Sequence, residues 1–89
     1  MNTTPTTTEN LWWTTVAFGG NPAPRGPWSS YEDAVAAVDR WARRLGADAG
    51  SLIATHSLRL HAYRTRAAAR AADISDAPGT NGCVAIRSL

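Results

Sequence analysis

Leu11-Trp12-Trp13-Thr14-Thr15-Val16-Ala17-Phe18 is the stretch on which the fold turns. Its aromatic and β-branched side chains suit a pleated surface, and Gly19-Gly20 closes the run, so it reads as the first strand. Alternation divides it into a face of Trp12, Thr14, Val16 and Phe18 and a face of Leu11, Trp13, Thr15 and Ala17. The first face carries more bulk and is assigned to the core. Trp13 is thereby sent to the opposite side of the sheet.

Downstream of this strand, Asn21 to Trp28 holds three prolines and Gly26, which remove backbone donors and fix φ; this is a stiff, extended surface loop. Ser29 lies three residues before Glu32 and Ser30 three before Asp33, and either pair caps a helix start. Ala34, Val35, Val38, Trp41, Ala42 and Leu45 then recur at helical spacing, Arg43 and Arg44 complement the dipole in the last turn, and Gly46 suits a left-handed C-cap. Leu52 to Tyr63 reads as one long strand or two short ones. Over its second half Leu58, Leu60 and Ala62 share one face, and Arg59, His61 and Tyr63 share the other. Thr65 caps a second helix, Arg66 to Ile74, rich in Ala. Turn chemistry follows at Asp76-Ala77-Pro78-Gly79 and Asn81-Gly82, and the last strand runs from Cys83 to about Arg87 with Val84 and Ile86 on one face.

Before Leu11, residues 1–10 are Thr-rich and nearly devoid of apolar side chains, which marks a flexible tail; residues 11–89 form one α+β domain. The 89 residues are 44% hydrophobic and 18% charged with a net charge of +2, as in small globular proteins. A chain this short buries only about 60–65% of its unfolded surface. The expected core is Trp12, Val16, Phe18, Val35, Val38, Trp41, Leu45, Leu58, Leu60, Val84 and Ile86. All nine basic residues are Arg and seventeen residues are Ala, a bias in the style of a high-GC bacterial or phage genome.

Trp28-Ser29-Ser30 and Tyr63-Arg64-Thr65 each precede an Ala-rich run at a constant offset of 35, as though a strand-to-helix unit were used twice. The expected architecture is a three- or four-stranded, partly antiparallel sheet with two helices on one face, in the order β-α-β-(β)-α-β. That order resembles ferredoxin-like domains, including SPOR-type and RNA-recognition modules. The resemblance is one of element order alone and implies a free sheet face; no functional residues carry over.

The chemistry of catalysis finds little purchase here. One cysteine, Cys83, with His56 and His61 makes neither a disulfide framework nor a closed zinc set, and the two histidines are five apart. Cys83 with His61 lacks a third residue to orient the imidazole. The Gly19-Gly20-Asn21 and Gly79-Thr80-Asn81-Gly82 clusters fit neither the dinucleotide fingerprint nor the phosphate loop, and no serine sits in a nucleophile elbow. No apolar run reaches the ~18–20 residues of a membrane span and no signal-peptide pattern opens the chain, so a cytoplasmic location is expected, with no metal and no cofactor.

Aromatic and arginine side chains are the better lead, because Trp, Tyr and Arg dominate interface hot spots. The expected partner-binding residues are Trp13, Arg59, His61, Tyr63 and Arg87 on the open sheet face, with Arg25 and Trp28 on the Pro-rich loop. The reading is a non-enzymatic protein that occupies a site on a protein partner. Its sharpest form is a phage or mobile-element inhibitor of a host defence system, of anti-CRISPR type, acting on a host nucleoprotein complex. The alternative is a single-stranded nucleic-acid-binding module using the same aromatic and Arg face, and a third is a homodimer that buries Trp13 against its copy. A net charge of +2 ranks protein above nucleic acid.

Overall fold

The computed structural model describes residues 10–89; residues 1–9, nearly all of the expected flexible tail, lie outside the described residues. The chain is a small α+β domain with three strands and three helices: β1 (Trp12–Val16), α1 (Tyr31–Leu45), α2 (Asp48–Thr55), β2 (Arg59–Tyr63), α3 (Arg66–Arg70) and β3 (Cys83–Ser88). The strands pair antiparallel in the order β1-β2-β3.

Local chemistry sets the helix ends. Ser30, in extended conformation, accepts a hydrogen bond from the Asp33 N–H at 3.0 Å, so Ser30 and not Ser29 is the cap. Gly46 ends α1 at φ +65°, donating its N–H to the Ala42 carbonyl, a conformation costly for a residue with a Cβ. Thr65 caps α3 through the Ala68 N–H in the same way, and α3 stops at Arg70, four residues before the expected end.

The order β-α-α-β-α-β puts a helix where a strand is expected. Residues 48–55 form α2 because Leu52 and Ile53 pack beside Val38, Trp41 and Leu58. Ala49, Leu52 and Ile53 follow helical spacing, and this pattern outweighs the β propensity of Ile53 and Thr55. β2 therefore begins only at Arg59.

Register decides which tryptophan faces which layer. Trp13 lies opposite Ala62 and Thr15 opposite Leu60, whereas Trp12 lies opposite Tyr63 and Thr14 opposite His61. Trp13, Leu60 and Ala62 pack against Ala34 of α1, with the Tyr31 ring edge-on to Trp13 at 4.9 Å. Tyr63 and Cys83, flanked by Trp12, pack against Ala69 of α3. The face assignment is thus inverted relative to expectation: Trp13 is buried under the long helix and Trp12 is half-buried on the other side. Small residues explain it, because Ala62 beside the indole and Ala34 above it leave room that Tyr63 denies to Trp12.

Both faces are therefore covered, α1 on one and α3 with the 73–82 loop on the other, in place of two helices on one face. The core shifts accordingly. Val16, Val38, Trp41, Leu58 and Leu60 are buried, but Phe18 is 63% exposed and Val35 37%. A bulge also separates Val84 from Ile86. Ala62 pairs with Ala85 while Tyr63 pairs with Cys83, so Val84 is the extra residue; it packs with Trp13's cluster and Ile86 with Tyr63's. The added residue breaks the alternation that would keep them on one face.

The Pro-rich loop runs back along the outer edge of β1. Trp13 and Trp28 exchange both backbone hydrogen bonds at 2.7 and 2.8 Å, and the Thr15 N–H donates to the Arg25 carbonyl. Gly26 makes this possible at φ +86°, since a Cβ there would stand 2.6 Å from the Trp28 ring and 2.8 Å from the Trp13 carbonyl. At the opposite edge, β3 has β2 as its one strand partner among the described residues, and Cys83 at its start also bonds Gly79 and Thr80 through its backbone.

Candidate functional site

The seven residues singled out from sequence do not form one platform. Trp13 and Arg87 face the α1 side, since Arg87 pairs with Leu60, while Arg59, His61 and Tyr63 face the α3 side. Trp13, His61 and Tyr63 are buried, so they are not exposed contacts; covering both faces of a three-stranded sheet leaves its central strand no free side. Arg25 and Arg87 are exposed and Trp28 and Arg59 half-buried.

What the α3 side holds instead is a polar network inside the fold. The Tyr63 hydroxyl donates to Asp76 Oδ2, and His61 Nδ1 lies 3.1 Å from the same hydroxyl. Asp76 also accepts from the Asn81 amide at 2.8 Å and from the Asp73 N–H at 3.1 Å. Asp76 thus fastens the 73–82 loop to β2. Arg59 adds a second fastening, donating to the Ile74 carbonyl at 2.9 Å. His61 Nε2 and Arg59 Nε are buried with no hydrogen-bond partner among the described residues.

Electrostatics follow from this packing. Burial lowers the His61 pKa below its ordinary 6.5, with the Arg59 charge acting in the same sense, so the imidazole is held neutral. Burial and the bond to Asp76 push the Tyr63 hydroxyl far above its ordinary value. Burial alone would raise Asp76, but the hydrogen bonds from Tyr63, Asn81 and the Asp73 N–H outweigh it and hold the carboxyl below its ordinary 3.8. Burial likewise raises the Cys83 thiol, which is 1% exposed. A thiol kept protonated and covered is not poised as a nucleophile.

The accessible concavities lie elsewhere. One, a groove of about 770 Å³, opens at the end of the sheet where β2 begins and β3 ends. Its walls include Phe18, Ile53, Leu58, Ile74 and Leu89, with Arg59 as its charged member. Phe18 is placed there by a backbone bond from its N–H to the His56 carbonyl, and His56 Nδ1 lies 3.1 Å from the Phe18 carbonyl. A smaller cleft includes Arg25 and Asp73, and another gathers Trp28, Trp41, Arg40 and Arg44. Among the described residues no group of three or more His, Cys, Asp or Glu could hold a metal ion, and no helix is long and apolar enough to cross a membrane.

Sequence reasoning missed Phe18 and Ile53 because both were spent on strands. The glycine pair after Phe18 was the available signal, since a chain that turns there leaves the last side chain with no neighbour beyond it. Asp76 gave no signal, because its sequence neighbours read as an ordinary turn.

These features define a small α+β domain whose three-stranded antiparallel sheet is covered on both faces. Comparison with known proteins finds no matching family model, no matching curated protein and no matching solved structure.

Proposed function

We propose that the chain is a protein-binding module that takes an extended segment of its partner along the outer edge of β3 and seats an apolar side chain of that segment in the adjoining groove. The observation that carries this reading is the 63% exposed Phe18 on the wall of this groove, at the end of β3, which beyond Cys83 has no second strand partner among the described residues. An unpaired edge supplies backbone donors and acceptors, and a neighbouring pocket supplies selectivity. Arg59 in the groove favours an acidic residue beside the apolar anchor. The sharper version keeps the expectation of an inhibitor acting on a host defence complex, with this groove as its contact.

Selection of a displayed random-peptide library on the folded chain tests the module. Peptides carrying an apolar anchor and an acidic neighbour are expected, with binding lost on Phe18→Ala or Ile53→Glu and reduced on Arg59→Gln. Peptides that bind these variants as well as they bind the wild type would overturn the assignment. For the sharper version, expression in a defence-competent host is expected to raise phage plating, and unchanged plating rules it out.

A further inference from the structure

We propose that the ridge formed by Arg25, Arg66 and Arg70, with Trp12 at its end, binds single-stranded nucleic acid. The ridge shares no residue with the groove above and stands or falls independently of it. Arg66 and Arg70 are one turn apart on α3 and so lie on the same side of that helix. The Arg66 guanidinium carbon lies 5.5 Å from the centre of the Trp12 ring. At the other end, Arg25 reaches across from the loop along β1 and donates from Nη2 to the Arg70 carbonyl at 3.4 Å. Contacts between residues more than forty positions apart thus bring Arg66 to Trp12 and Arg25 to the backbone of Arg70.

Among the described residues none of these guanidiniums forms an ion pair. Among the described residues the ion pair present is Arg43 with Asp39 on α1, away from the ridge. Asp73, which lines a cleft with Arg25, is engaged by the N–H and hydroxyl of Ser75 and makes no ion pair with Arg25. Like charges one turn apart weaken a helix, and α3 has only five residues and one buried side chain, Ala69, to resist that. An anion laid along the ridge removes the repulsion.

The chemistry of the ridge selects the kind of anion. Arginine offers a planar fork of donors that matches phosphate oxygens, and a strand of nucleic acid carries one phosphate per nucleotide. The Arg66 guanidinium, itself over the half-buried Trp12 ring, presents a planar cation on which an unpaired base can stack. An acidic protein surface would need apolar area at the centre of the contact, and between Arg66 and Arg70 the exposed residue is Ala67. Arg64, exposed just ahead of α3, extends the positive surface at the Trp12 end. This site differs from a sheet-face platform, which the covered faces do not provide.

Fluorescence anisotropy of a labelled twenty-nucleotide oligothymidine and its RNA counterpart tests the assignment at 50 and 200 mM salt, with the intact chain. Binding at low salt is expected, weakening severalfold or more at the higher concentration as counterions compete. Arg66→Gln with Arg70→Gln is expected to weaken binding at least tenfold, whereas Arg40→Gln with Arg44→Gln on α1 changes it less than twofold. Arg25→Gln, outside α3, gives a several-fold loss even if the double variant is found to unfold. No binding at low salt would overturn the proposal. So would equal losses from the α1 and α3 variants, or binding of a polyglutamate peptide in preference to both oligonucleotides.

Discussion

The two faces of the sheet are stabilised by different physics. Under α1 the contacts are apolar: Trp13, Leu60 and Ala62 meet Ala34, with Val38, Trp41 and Leu58 beside them. Under α3 and the 73–82 loop a smaller cluster of Tyr63, Cys83 and Ala69 is joined by a polar fastening, Asp76 accepting hydrogen bonds from Tyr63, Asn81 and the Asp73 N–H. An apolar layer tolerates any arrangement that excludes water, because its attraction is non-directional. A polar layer holds only while every member keeps its partner and its protonation state. The α1 side should therefore set global stability, and the α3 side should be sensitive to single polar atoms and to pH.

Trp13→Ala is the harshest way to break this contrast. Removing a buried indole costs about 3–5 kcal/mol, a large share of what a small domain possesses, so urea titration should find the variant largely unfolded. A loss no greater than that of a surface substitution would mean that α1 does not anchor the fold. Asp76→Ala comes next. It leaves the Tyr63 hydroxyl without its acceptor and frees the loop, with an expected loss of about 2–3 kcal/mol, while Tyr63→Phe, which removes a donor and leaves Asp76 other partners, should cost about 1–2 kcal/mol. Hydrogen exchange should show the Asp76→Ala opening concentrated in residues 73–82, with the α1 side protected.

The pH response sharpens the same comparison. The folded chain holds His61 below its unfolded value of 6.5, so in the window beneath 6.5 the unfolded chain binds a proton that the folded one refuses. Stability from this group is complete above 6.5 and declines as the pH falls toward the folded pKa. Asp76, also depressed, loses its contribution only as the pH falls below its ordinary 3.8. Melting curves should show a shallow decline below pH 6.5 and a second in strong acid. His61→Asn should abolish the first and leave the second. The smallest effect belongs to the solvent side of α1, where Arg43 and Asp39 pair at 2.8 Å with side chains 78% and 53% exposed; Arg43→Ala should cost less than about 0.5 kcal/mol by thermal melting.

Local chemistry in the sequence was enough to place α1 between its Ser30 cap and Gly46, the Thr65 cap of α3, the turn residues after Ile74 and the start of β3 at Cys83. Each depends on interactions within a few residues, so neighbours in sequence are the neighbours that matter. The alternation of Leu58, Leu60 and Ala62 against Arg59, His61 and Tyr63 was also readable, because the pleat imposes it. Which of those faces meets which helix was not. That choice turned on the Trp13–Ala62 register, the space beside Ala34 and the extra Val84 in β3, all set by partners from elsewhere in the chain. Of the residues first assigned to partner contact, Arg59 lines the groove and Arg25 the ridge, while Trp13, His61 and Tyr63 went inside. A buried aromatic and an exposed one obey the same alternation, and only packing across the sheet tells them apart. Residues 48–55 became a helix, and Asp76 a buried fastening, for the same reason: what selects each conformation is contact with side chains distant in sequence.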